Sequence, residues 1–132
     1  MSHHVTHASI SAWLATYWRA WETYDRDLIA SLWTDDAQYR WHPADEPTVG
    51  RDAIVEAWLN PENRDAPGTY EGAYAPFVGN GNRAVAVGTS TYWTDPSRTT
   101  VARVYYNNWL LEFAEDGRCS SFTEYWMLPR GS

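Results

Sequence analysis

An α+β fold is predicted for this chain: a curved, mostly antiparallel sheet wrapped round three N-terminal helices, a cone-shaped α+β barrel with one open end. Three observations predict it. Apolar residues recur every three or four positions up to Leu59, the period changes to two from Thr69 onward, and turns rich in glycine, asparagine and proline divide the second half into strands. A chain of 132 residues suits one domain, placed at 8-128, with flexible ends at 1-7 and 129-132. The closing LPRGS looks like part of a protease-site tag and the start is histidine-rich, so neither enters the fold reasoning.

In the first half, Ile10, Trp13, Leu14, Tyr17, Trp18, Trp21 and Tyr24 fall on one wide face of a helix spanning Ser9 to Tyr24. Asp25 offers an N-cap to a second helix and Asp27 adds negative charge to its first turn; Leu28, Ile29, Leu32 and Trp33 form its buried stripe. Tyr39 and Trp41 alternate with Gln38, Arg40 and His42, which predicts a strand over Ala37 to His42. Pro43 ends it, because proline cannot donate to a ladder. Pro43 to Val49 reads as a polar loop. Gly50, Arg51 and Asp52 then lead into a third helix with Ile54, Val55, Trp58 and Leu59 on one face, and Pro61 stops it. Asn60 to Gly68 has the composition of an exposed loop placed to act as a flap or a plain connector.

Strands Thr69 to Val78 and Arg83 to Trp93 flank Gly79, Asn80, Gly81 and Asn82, a hairpin signal because such turns need positive φ. Asp95-Pro96-Ser97 and Glu115-Asp116-Gly117 bound a long strand, Thr99 to Phe113, and a last one follows at Arg118 to Met127. The long strand sets Arg103, Tyr105, Asn107, Trp109, Leu111 and Phe113 on one face and Ala102, Val104, Tyr106, Asn108, Leu110 and Glu112 on the other. A sheet that is apolar on both sides packs on both, so the outer face is expected to form a homodimer.

Composition narrows the function. Ten arginines, with no lysine, stand against 17 acidic residues for a net charge of -7, which repels phosphate backbones and argues against nucleic acid. No apolar run approaches the roughly 20 residues of a membrane helix and no leader pattern opens the chain, so no membrane partner and a cytoplasmic location are expected. Cys119, the one cysteine, cannot form an internal disulfide and reads as a small strand residue. His3, His4 and His7 lack a supporting acid or cysteine at ligand spacing, so no metal is expected. No cofactor motif is present either. Nine tryptophans and nine tyrosines remain to be placed, and such rings suit a core, an interface or a pocket.

Thr34 to Gly50 reads as the rim and wall of a small-molecule pocket, with His42 at a strand end beside a loop. His42 is a candidate acid/base there, or a structural histidine bonded to the loop after Pro43. Asp35 and Asp36, at a helix end before a strand, read as turn and capping groups. Glu124 alternates with Phe122 and Trp126, and a carboxylate on an inner face must be paired or protonated; Arg103 is its candidate partner. Asn107 shares the face of Arg103 and is placed to orient a carbonyl or to bond the backbone. The expected cavity lining is Trp21, Trp41, Trp58, Tyr74, Trp93, Arg103, Tyr105, Asn107, Trp109 and Trp126.

From about residue 8 to 128 the chain resembles the nuclear transport factor 2-like superfamily, and within it the SnoaL-like group. The resemblance is carried by AWETYDRDLIASLWTDDA, by the HP…GRDAI junction at His42 to Ile54, and by FAEDG…EYW at Phe113 to Trp126. It implies the fold described above and a range of activities that includes ketosteroid isomerases, polyketide cyclases, scytalone dehydratases, epoxide hydrolases and proteins that only bind. Similarity to the isomerases places Tyr17 at their oxyanion-donating tyrosine. Their general-base aspartate precedes a proline: counting from Pro43 puts His42 there, and counting from Asp36 puts Trp41 there. Their second donor, an acid, falls at Trp109, whose indole donates a hydrogen bond but is not an acid. The resemblance therefore implies proton-transfer chemistry other than steroid isomerisation.

The expected function is cofactor-independent general acid/base catalysis on a small apolar cyclic or aromatic metabolite, by isomerisation, cyclisation or dehydration, with His42, Tyr17 and Glu124 as the catalytic group. Two rivals remain: a non-catalytic carrier of the same ligand class, and a dimeric accessory domain whose hollow is filled by its own tryptophans.

Overall fold

The computed structural model describes residues 4–131. Helix α1, His7–Thr23, is opened by a reciprocal cap: the Thr6 hydroxyl accepts from the Ser9 amide at 3.0 Å and the Ser9 hydroxyl accepts from the Thr6 amide at 2.9 Å. It closes on Tyr24, held left-handed at φ 50, whose N–H donates to the Ala20 carbonyl. Asp25 immediately caps α2, Arg26–Ser31, accepting the Leu28 amide at 3.0 Å. The predicted loopless helix pair is therefore present.

The strands are β1 (Trp33–Arg40), β2 (Thr48–Val49), β3 (Tyr70–Asn80), β4 (Arg83–Trp93), β5 (Val101–Phe113) and β6 (Cys119–Met127), with helix α3 at Arg51–Leu59 before β3. They form one six-stranded, curved and unclosed sheet in the order β2-β1-β6-β5-β4-β3. Every pairing is antiparallel except β1 with β6, which is parallel. The α+β fold predicted from periodicity is the fold observed.

Two elements differ from expectation. Trp33 opens β1 rather than closing α2, and the strand ends at Arg40, short of Trp41 and His42. The register explains the early start: Trp33 faces Cys119 while Gln38 faces Ser121, so polar Thr34, Asp35 and Asp36 ride in an irregular bulge that hides the period of two. β2, inside the expected loop, pairs Gln38 with Val49 and Tyr39 with Thr48; two residues are too few to show a period. At the start, Thr6 caps α1, His7 opens it, and the Val5 amide donates to the Gly81 carbonyl at 2.7 Å, so ordered contacts begin ahead of residue 8. His3 and the end of the expected C-terminal tail, residue 132, lie outside the described residues.

The helices cover the inner face of the sheet. Cross-strand pairs Ala86 with Trp109, Trp109 with Glu124, and Leu111 with Phe122 define that face, because directly opposed residues share a side. Trp33, Tyr39, Trp109 and Phe122 are each exposed by 2% or less and form the centre of the core with Ile10, Ile29 and Ile54. Cys119 is part of this core, and burial pushes its thiol up to about 12, so it packs as a small apolar residue.

The β3–β4 pair makes room for one large ring. Tyr74 lies opposite Gly88, and Gly72 opposite Ser90. A Cβ on Gly88 would stand 2.1 Å from the Ala73 carbonyl oxygen and 2.5 Å from Tyr74 Cδ1. Gly88→Ala is accordingly expected to cost about 3 kcal/mol by overpacking against backbone. Urea unfolding monitored by circular dichroism measures it; a loss below about 1 kcal/mol means that the strands part without strain.

Candidate functional site

A cavity of about 400 Å³ lies between α1, α3, the loop that follows α3, and the inner face of the sheet. Nine of its fourteen lining residues are aromatic. Tyr17, Tyr39, Trp58 and Trp109 are buried, whereas Trp21, Tyr24, Asp65 and Tyr92 are only half-buried and Trp41 and Asn63 exposed. The rings line this cavity rather than fill it.

Glu124 projects into this cavity from β6, opposite Trp109. Among the described residues no cation pairs with it. Burial raises its carboxyl to about 7, and the nearby Trp109 indole offsets part of that rise. The Trp109 N–H stands close enough to favour the carboxylate but outside hydrogen-bond geometry, and it has no other partner. A carboxyl of this kind exchanges its proton near neutral pH, which is the requirement for a general acid or base.

Tyr17 and Tyr39 bring their hydroxyls within 3.3 Å of each other. Burial raises both phenols well above their ordinary value, so both stay protonated. The pair shares one hydrogen bond between two O–H groups, which leaves one proton free to donate to a ligand oxygen. On the opposite wall, the Asn107 amide donates to the Ser90 hydroxyl at 2.8 Å, and Ser90 bonds Tyr74 OH at 2.5 Å. This relay fixes the Tyr74 ring, which lies 4.1 Å from Trp109 centroid to centroid.

The loop after α3 closes one side. Asp65 accepts from the Trp21 indole at 3.1 Å and from Tyr24 OH at 3.4 Å, and its own amide donates to Tyr24 OH at 3.0 Å. Burial raises the Asp65 carboxyl; the bonds from Trp21 and Tyr24, and the charge of Arg103, work against that rise. The loop read as a flap or connector is thus clasped to the end of α1.

Of the expected catalytic group, Tyr17 and Glu124 meet in the cavity and His42 does not. The chain leaves the sheet at Arg40, and the His42 ring lies outside the cavity lining: its Nδ1 accepts the Ala44 amide at 3.0 Å, and it packs edge to face with Trp126, the ring centres 6.0 Å apart. Trp41 lines the cavity instead. Trp21, Trp58, Tyr74 and Trp109 also line it. Trp93, Arg103, Tyr105, Asn107 and Trp126 do not. Trp93 stacks under Arg98, with the guanidinium 4.4 Å from the ring centre, and Asn107 acts one bond back through Ser90. Arg103 makes no ion pair with Glu124; it lies over the Tyr92 ring at 4.2 Å. Tyr105 and Trp126 pack edge to face at 5.3 Å on the exposed side of the same face.

Tyr24, Tyr39, Asp65, Ser90 and Tyr92 line the cavity without having been expected. Tyr39 was within reach, since it shares a strand face with Trp41. Ser90 and Tyr92 follow from the β4 register once Ala86 is set against Trp109. Asp65 gives no signal, being an acid in a polar loop.

The sequence profile of the SnoaL-like domain matches residues 14–122. No curated protein sequence matches the chain. Among solved structures, an NTF2-like protein with a cystatin-like fold from Novosphingobium aromaticivorans is 22% identical, with TM-score 0.68 over 95% of this chain and 82% of that one. SalBIII, an epoxide hydrolase/cyclase-like enzyme of pyran ring formation in the polyether salinomycin, is 20% identical with TM-score 0.65 over 89% of each chain. A candidate ketosteroid isomerase from Kribbella flavida is 17% identical with TM-score 0.63 over 96% of this chain and 83% of that one. At these identities the structures share the fold; helices, sheet and profile together show that the chain belongs to the SnoaL-like domain family.

Proposed function

We propose that the protein is a cofactor-independent enzyme in which Glu124 transfers a proton to or from a small cyclic or aromatic metabolite, by isomerisation, cyclisation or dehydration. One observation carries this reading: a carboxyl held at about 7 inside an aromatic cavity, with no cation beside it among the described residues. Tyr17 and Tyr39 supply the donor for an oxygen that gains negative charge in the transition state. The cyclase-like and isomerase-like relatives agree with this class of chemistry. A carrier of the same ligands is the second reading, and it would use the rings without needing the raised carboxyl.

Ring-opening elimination of 5-nitrobenzisoxazole tests the proposal, because a base removes the C3 proton while the N–O bond breaks to release a coloured phenolate. The wild-type protein should accelerate it well beyond acetate at equal pH. His42 lies outside the cavity, so His42→Ala should keep the rate within about twofold, whereas a catalytic imidazole would cost at least about a hundredfold.

The outer sheet face is proposed as a homodimer contact. Tyr106, Leu110, Tyr125 and Met127 are all more than 40% exposed and share that face. Light scattering should give twice the 15.2 kDa chain mass, and Leu110→Asp should return the monomer. A wild-type monomer at about 100 μM would contradict this.

A further inference from the structure

The cavity has a charge pattern that the acid/base reading leaves unused. Its lining carries two carboxylates, Glu124 and Asp65, and among the described residues no arginine or histidine lines it. Most of the remaining wall is ring. Such rings carry negative charge on their faces, and a carboxylate among them with no cation beside it, as Glu124 is, favours a cation far more than it would in solvent. Two rings at the opening already act this way: Arg103 lies over Tyr92 at 4.2 Å and Arg64 over Tyr24 at 5.2 Å. Asp65, clasped by Trp21 and Tyr24, lies on that side with them. Farther in, Tyr39, Tyr74 and Trp109 lie near Glu124, and among the described residues no such cation stands over them.

We propose that the ligand of this cavity is a ring-bearing amine whose positively charged nitrogen sits against Glu124 among these three rings, its apolar part filling the rest of the hollow. The inference deepens the reading of Glu124 as the working carboxyl of the site and rests on it for the choice of pocket. It specifies the substrate class: an otherwise apolar cyclic or aromatic molecule with one basic nitrogen. Anionic molecules are disfavoured by the two acids, and a neutral analogue loses both the ion pair and the attraction to the rings.

Titration calorimetry at pH 8 with benzylamine, benzyl alcohol and benzoate tests this, since the three share a ring and differ in charge. Benzylammonium should bind at least about tenfold more tightly than benzyl alcohol, with benzoate weakest. In Glu124→Gln, a near-isosteric change, the preference for the cation over the alcohol should fall to about twofold or less; Asp65→Asn should keep most of it. Equal binding of cation and alcohol, tighter binding of benzoate, a preference retained in Glu124→Gln, or no heat from benzylammonium up to about 50 mM each overturns the proposal. These outcomes are independent of turnover: loss of the benzisoxazole elimination in Glu124→Gln without cation selectivity keeps the acid/base reading and removes this one, and the reverse result does the opposite.

Discussion

Glu124→Gln is expected to lower kcat/KM for 5-nitrobenzisoxazole elimination by at least about a hundredfold, the usual contribution of a positioned general base. Glutamine keeps the shape of the side chain and its place opposite Trp109, so the loss reports the missing proton acceptor rather than a changed cavity. The pH profile gives a second readout. Carboxylate is the basic form, so the wild-type rate should rise through about 7 and level above it. A rate unchanged in Glu124→Gln, or a profile midpoint at the ordinary glutamate value near 4.5, would separate the activity from this group. Either result would leave the aromatic cavity as a binding site only.

The same carboxyl should leave a mark on stability. Its folded pKa, about 7, lies above the unfolded value of 4.5, so the folded protein holds the proton more tightly. The resulting stabilisation is fully present below about pH 4.5 and is lost as pH rises through about 7. A shift of this size corresponds to about 3 kcal/mol, taken as an upper figure because the carboxyl is not wholly shielded from solvent. Glutamine does not ionise. The difference in unfolding free energy between wild type and Glu124→Gln should therefore move by up to about 3 kcal/mol in favour of the variant between pH 4.5 and pH 8. Other titrating groups largely cancel in the difference. A constant difference across that range would place Glu124 in solvent.

These two effects oppose each other in a way that fits a functional site. The buried carboxylate costs stability near neutral pH, and the structure does not relieve it with an arginine, although Arg103 stands on the same face of β5. Arg103 stacks on Tyr92 instead. The sheet thus keeps a destabilised acid in the hollow, where a structural ion pair would have moved its proton exchange to acid pH.

Much of the fold was legible because it depends on periods. Ile10, Trp13, Leu14 and Tyr17 mark α1, and alternation from Tyr70 to Met127 marks the meander. Legibility failed where polar residues or short length hide the period, in the Thr34–Asp36 bulge and in β2. Site residues on regular elements were found in the same way: Tyr17 on α1, Trp58 on α3, and Trp109 and Glu124 on facing strands. At element ends the pattern is a weaker guide, although Trp41, just past β1, lines the cavity as the alternation suggests. His42, one residue beyond Trp41, does not line the cavity, because the end of β1 depends on the pairing with β2 and β6 and not on Pro43 alone. Asp65 needs the tertiary clasp to Trp21 and Tyr24, which no local pattern encodes.

The chemistry proposed for this protein depends on a proton-exchanging carboxyl within the ring-lined hollow. The most direct test is a carbon-detected NMR titration of side-chain carboxyls in protein labelled at glutamate, with Glu124→Gln assigning the resonance. A midpoint near 7 for Glu124 is predicted, and a midpoint near 4.5 would contradict the account.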